Sequence, residues 1–211
     1  MKRGIIRVAI AIAAAGLVCA CALTEDKVPI DYVANTDVTP VAGAEAVSLT
    51  VTAVDRRTQY VDRISTKKNG YGMEMARIVA TNDVVEVVRG GVERELKAQG
   101  YAVGAGGLSI TVELQNFYNN FRVGLMTGGA ASDVAIVVKV RNAAGTLIYS
   151  QGYDASTTND VFMASGTNAK ESLQKALTLT TRKIVDDKAL QAALLSTRTP
   201  PIPTRGAGVR S

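Results

Sequence analysis

The chain has no histidine, no tryptophan, two cysteines, five prolines and three phenylalanines in 211 residues. Each scarcity excludes something. Without histidine there is no imidazole base, so a Ser-His-Asp triad cannot be built. Both cysteines, Cys19 and Cys21, lie close to the N-terminus. If processing consumes them there, the mature chain carries no free thiol, which removes disulfides, thiolate nucleophiles and Cys/His metal sites together. The sequence implies no cofactor and no metal, and a protein that is not an enzyme is the expectation. Chemistry on a carboxylate pair or on Ser-Lys stays open in principle. Glu113 and Asp154 fall on predicted strands as the carboxylates of a peptidoglycan-type hydrolase, but no spacing brings them together. The basic residues form no stripe interleaved with aromatics, so nucleic acid is not an expected partner.

The N-terminus carries an address. Lys2, Arg3 and Arg7 precede an apolar run from Val8 to Val18, which ends in Cys19-Ala20-Cys21. A positive stretch, a short apolar core and small residues before a cysteine form an export signal with a lipobox, whose cysteine becomes the acylated first residue. The lipidation site is then Cys21, with Ala20 and Val18 in suitable positions and Cys19 an unusual neighbour. Ala20-Cys21-Ala22 is also an A-x-A site, which would release a soluble periplasmic chain starting at Leu23. Val8 to Leu23 is shorter than the ~20 residues that span a bilayer as a helix, so a retained membrane span is the least favoured option. Ala22, rather than aspartate, after the cysteine leans towards the outer membrane of a Gram-negative bacterium. Without Lys2, Arg3 and Arg7 the chain has 21 basic residues against 19 acidic, so the formal +5 falls to +2. The basic balance is thus partly a property of the leader.

Four segments follow from composition: a signal over 1–20, an acylated tether over 21–46, a globular domain over 47–195 and a Pro-rich tail over 196–211. The tether holds Pro29, Pro40 and Gly43 with no sustained period, although Tyr32 and Val33 are apolar enough to dock. The tail holds Pro200, Pro201 and Pro203, which rule out a packed element.

Within the domain, Val47, Leu49, Val51 and Ala53 alternate with Ser48, Thr50 and Thr52, the period of a half-buried strand. Arg63–Thr66 and Met73–Ala80 are predicted strands around a Lys68-Asn69-Gly70 turn. Asn82 is the predicted N-cap of a helix with Val85, Val88, Val92 and Leu96 on its apolar face and Gly100 at its end. The mid-helix pair Gly90-Gly91 costs on the order of 1 kcal/mol per glycine, and close packing against a sheet is the expected reason. Strands are predicted over Leu108–Tyr118, Asp133–Arg141 and Thr146–Tyr153, then one long helix over Asn168–Leu195 with Leu173, Leu177, Ile184, Leu190 and Leu194 buried. The expected architecture is an α+β two-layer sandwich, a mostly antiparallel sheet covered on one face by two amphipathic helices.

Asp55 with Arg57 reads as a strand-end ion pair that fixes a turn, and Gly104-Ala105-Gly106-Gly107 as a connection. That loop lies after a helix and before a strand, the wrong order for a phosphate cradle. Tyr118, Phe121, Leu125 and Met126, in the segment between two strands, are the candidate partner contacts, against the alternative that Phe121 and Leu125 fold back onto the core.

The order of these motifs resembles the YajG family of bacterial lipoproteins. The resemblance rests on the Val47–Val54 strand ending in Asp55-Arg56-Arg57, the helix closed by Gly100-Tyr101-Ala102-Val103-Gly104, the strand leading to Tyr118, and Ser132-Asp133-Val134-Ala135-Ile136. It implies a lipid-anchored α+β envelope protein and no particular activity. Two functional expectations follow. The first is a non-enzymatic accessory module that binds an unknown envelope protein through the open sheet face or the Phe121–Met126 loop. The alternative is a periplasmic carrier of a lipid or other apolar envelope molecule, held between helices and sheet.

Overall fold

The computed structural model describes residues 23–122 and 128–196. Cys21, Leu125, Met126 and the Pro-rich tail lie outside the described residues. Strands β1 (Asp26–Val28), β2 (Ser48–Asp55), β3 (Ser65–Lys68) and β4 (Glu74–Ala80) precede helix α1 (Val84–Ala98). Strands β5 (Ala102–Val103), β6 (Leu108–Arg122), β7 (Gly128–Arg141) and β8 (Leu147–Val161) follow, then helices α2 (Gly166–Asp186) and α3 (Lys188–Leu195). The result is the expected α+β sandwich, with one mixed sheet behind the helices.

β6 organises the sheet. One edge pairs with β7 antiparallel along its whole length, and β7 pairs antiparallel with β8. The other edge is shared. β2 runs parallel to its first half, from Leu49 opposite Leu108 to Asp55 opposite Leu114, and β3 joins farther along with Ser65 opposite Asn119. The chain between them, residues 56–64, leaves the sheet and returns. β4 pairs antiparallel with β3 as the Asn-Gly turn predicts, and β1 adds parallel to β4.

Alternation along β6 and β7 puts Leu108, Ile110, Val112, Leu114, Val134, Ile136, Val138 and Val140 on one face, all buried. A register shift at Leu114/Asn116 lets Phe117, Asn119 and Phe121 continue that face. α1 covers β2 and β6, and α2 covers β7 and β8. α1 buries Val84, Val88, Val92 and Leu96, so Val84 rather than Val85 completes the apolar stripe. Its N-cap is Asp83, whose Oδ1 accepts from Val85 N at 2.8 Å. Asn82 does something else: its amide brackets Ile30, donating to Ile30 O at 2.8 Å and accepting from Ile30 N at 2.9 Å. The helix ends in a Schellman motif, with Gly100 at φ +100 donating to Lys97 O and Tyr101 donating to Leu96 O.

Three expectations need correction. The segment read as a tether is packed onto the domain from Asp26 onward: β1 joins the sheet, Ile30 is fully buried, and Ala44 sits against Gly100. Gly91 makes its close approach to Tyr32 of this segment, not to the sheet; a Cβ there would lie 2.8 Å from the ring, while one at Gly90 would meet nothing within 4 Å. Finally, the long C-terminal helix breaks at Asp187, whose ψ of 114 is extended. All five leucine and isoleucine positions of its predicted stripe are nevertheless buried.

Candidate binding surface

Among the described residues the helices pack on one side of the sheet only, which leaves the opposite face of β2, β6, β7 and β8 open. Its side chains come from the other half of each alternation. One row across it runs Thr52, Thr111, Lys139 and Ser150, the next Val54, Glu113, Val137 and Gly152, and Asp154 follows opposite Ala135. Lys139 Nζ reaches Glu113 Oε1 at 2.8 Å, and Thr52 Oγ1 donates to Ile110 O at 3.3 Å. Ser156 donates to Asp133 across the same face. In the middle, Gly152 leaves half-buried Val137 without a side chain over it: a Cβ at Gly152 would come to 3.9 Å from Val137 Cγ2. Val137 is thus a half-buried apolar side chain inside a polar, hydrogen-bonded frame.

Glu113 and Asp154 do not meet. Glu113 stands opposite Val137 and Asp154 opposite Ala135, on strands separated by β7. Two strand spacings put them about 10 Å apart or more. Glu113 is also engaged by Lys139.

One end of this face is roofed. Residues 56–64 fold back so that Tyr60 stacks on Tyr118, centroids 3.9 Å apart and 15° from parallel, with the Arg63 guanidinium 5.1 Å from the Tyr60 ring. Tyr60 holds φ +53, a left-handed conformation unusual for a bulky residue. Tyr118 Oη lies 3.2 Å from Thr66 Oγ1, and burial raises its pKa despite that bond. Asp55 and Arg57 form a bidentate pair, 2.9 Å from Nε to Oδ1 and 2.7 Å from Nη2 to Oδ2. The Arg57 hydrogen bonds hold the Asp55 carboxyl below its ordinary range against the effect of burial. With Arg57 turned onto Asp55 and Val61 O, the pair fixes the turn as expected. Beside it lies a notch of about 200 Å³ lined by Val61, Asp62, Arg63 and Asp83.

Of the candidate partner contacts, Tyr118 is half-buried beneath Tyr60. Phe121 is 3% exposed and belongs to the core. Of its two readings, partner contact or core, the core one holds, because β6 runs on to Arg122 and β7 starts at Gly128, so Phe121 falls on the inward side of a strand. Leu125 and Met126 lie outside the described residues. Val137 and Gly152 were not singled out from sequence, because their significance lies in cross-strand register.

The helix–sheet layer is tightly bonded. Ser172 Oγ donates to Ala130 O at 3.1 Å, Thr180 Oγ1 to Ala176 O at 2.9 Å with Val134 O at 3.3 Å, and Thr157 Oγ1 to Ser172 O at 2.9 Å. Small residues Ala169, Ser172, Ala176 and Thr180, all fully buried, let α2 sit close on β7. At the C-terminal end, Tyr149 and Tyr153 both donate to Asp187 Oδ2 at 2.7 Å, and Asp187 Oδ1 caps α3 by accepting from Ala189 N at 2.7 Å.

This fold and surface define a single-layer sheet, backed by helices on one side and available for contact on the other. The chain belongs to a family of uncharacterized lipoproteins, the YajG type, whose model matches residues 36–195. Among solved structures, it is similar to a Xanthomonas campestris protein of the family DUF330, with 14% identity over 82% of this chain and 96% of that one, at a TM-score of 0.54. A minor lipoprotein from Acinetobacter baumannii matches with 7% identity over 68% of this chain and 91% of that one, at a TM-score of 0.43. No curated protein matches the chain. Membership of a lipoprotein family points to the bacterial envelope, and among the described residues no helix is long and apolar enough to cross a membrane.

Proposed function

We propose that this protein is a non-enzymatic, lipid-anchored module of the outer membrane's periplasmic face, held by Cys21, which binds an envelope protein across its open sheet face. The observation that carries the reading is the uncovered patch around Val137 and Gly152, framed by Glu113, Lys139 and Asp154. Absence of histidine from the whole chain supports a binding role over hydrolysis. The carrier alternative needs space between α2 and the sheet, and the direct hydrogen bonds from Ser172 and Thr180 to β7 carbonyls occupy that layer. An apolar trough of about 370 Å³ between Val33 and Leu179 lies on the outer side of α2 and is open to solvent.

A photocrosslinking residue at Asp154, in living cells, tests the reading. It should give one discrete protein adduct, which the same residue at Lys175 on α2 does not give. Adding Gly152→Arg, which covers Val137, should abolish the adduct. Equal adducts from both positions, or adducts indifferent to Gly152→Arg, would remove the open face as the binding site.

A further inference from the structure

Ten large apolar side chains are exposed among the described residues, and the five most exposed lie together. Leu23, Tyr71, Met73, Phe162 and Met163 are 63%, 91%, 59%, 93% and 68% exposed, and the topology gathers all five at one end of the sheet. β3 runs parallel to β6 with Ser65 opposite Asn119, so the β3–β4 turn that carries Tyr71 and Met73 projects past Arg122, where β6 ends. On the other side, Arg122 pairs with Gly129 and Gly128 with Val161. Phe162 and Met163 therefore leave the sheet at the same level, three strand spacings or about 14 Å away.

The N-terminus arrives at this end too. β1 is parallel to β4 with Asp26 opposite Ile78, so the chain before Asp26 heads back towards Met73. Lys67 Nζ fixes that path, reaching Asp26 Oδ1 at 2.7 Å and Thr24 O at 2.9 Å. Gly166 N donates to Asp26 Oδ2 at 2.8 Å, which ties the start of α2 to the same place. Cys21 stands two residues before Leu23, a reach of about 7 Å. An acyl chain on Cys21 would thus hold this end of the domain, and no other, against the bilayer.

Two of the chain's three phenylalanines are in the core, whereas the third, Phe162, is almost wholly exposed. Tyrosine, phenylalanine and methionine at such positions suit the boundary between headgroups and acyl chains, where an amphipathic ring keeps its hydroxyl in water. We propose that this end of the domain docks on the membrane that holds the anchor, with Tyr71, Met73, Phe162 and Met163 inserted at the interface. The proposal rests on the reading of Cys21 as the acylated residue. Docking at two points about 14 Å apart restricts rotation about the anchor. The strands then rise from the bilayer, and the open face looks along the membrane plane.

The chain has no tryptophan, so single variants report their own surroundings. Tyr71→Trp, Phe162→Trp and, at the opposite end of the sheet, Leu147→Trp would be made in the full-length precursor. Each mature chain would be purified from membranes and placed in vesicles of phosphatidylethanolamine and phosphatidylglycerol with brominated acyl chains. The first two variants should show blue-shifted emission and strong loss of intensity to bromine, and the third should show neither. Intact mass of the same samples reports acylation independently. Acylated protein with equal emission at all three sites overturns docking and leaves the anchor standing. Unacylated protein overturns the anchor; quenching confined to the first two variants would then support docking by itself, and its absence would overturn docking as well.

Discussion

Asp187 does three jobs with one carboxylate. It accepts both tyrosine hydroxyls, caps α3 and ends α2. Burial works against its charge, but the bonds from Tyr153, Tyr149 and two backbone amides outweigh burial and hold its pKa below the ordinary carboxylate value. A carboxyl depressed in the folded state stabilises the fold above its unfolded pKa, about 4, and loses that contribution as pH falls further. Asp187→Asn should therefore cost about 1–3 kcal/mol in urea unfolding at pH 7, and the difference from wild type should shrink in acid below about pH 4. Burial first, then these hydrogen bonds, raises Tyr153, and burial also raises Tyr32, Tyr101, Tyr118 and Tyr149. A phenol whose pKa is raised by folding favours the fold below its unfolded value, about 10, and that advantage disappears above it. Absorbance at alkaline pH should show these five tyrosines ionising together with loss of near-ultraviolet circular dichroism; ionisation near pH 10 with the fold intact would contradict their burial. The cap of Asp187 is local, but its tyrosine bonds leave no local mark, since those partners lie more than thirty positions away in sequence.

The glycine pair in α1 separates two causes that composition alone merges. Gly90→Ala adds a methyl in open space and should stabilise the protein by about 0.5–1 kcal/mol through helix propensity. Gly91→Ala gains the same propensity but pushes into the Tyr32 ring, which is held by its 2.6 Å bond to buried Glu95. Overpacking costs about 1–3 kcal/mol, so Gly91→Ala should be net destabilising in thermal unfolding. Strands, hairpin turns and helix faces were legible because each is written in a local period. The packed N-terminal segment was half legible: Val28, Ile30 and Tyr32 alternate, but Pro29 and Pro40 hide the pattern. The hairpin that buries Phe121 was less so, because glycine and alanine at 128–131 carry no strand signal of their own and gain it only by pairing with β6 and β8. The open face was legible as a consequence of two helices on one sheet, while its centre at Val137 and Gly152 depends on register across three strands.

At the scale of the molecule, the proposed anchor, the exposed apolar end and the open face form one arrangement. The domain is tied at the β1 end by Lys67, Asp26 and Gly166, and the proposed binding surface runs up from there. Replacing Asp26 with alanine removes both ties and should loosen the N-terminal segment, seen as faster hydrogen exchange at Val28 and Thr81, whose amides belong to or bond with β1. Membership of the lipoprotein family rests on residues 36–195, whereas the proposed anchor rests on Cys21 alone. The decisive measurement is the intact mass and N-terminal residue of the mature protein extracted from membranes, beside a Cys21→Ala variant. A chain that starts at Cys21 with added acyl mass, and a variant that remains unprocessed or leaves the membrane, is the predicted result. A wild-type chain that starts at Leu23 without lipid would contradict it.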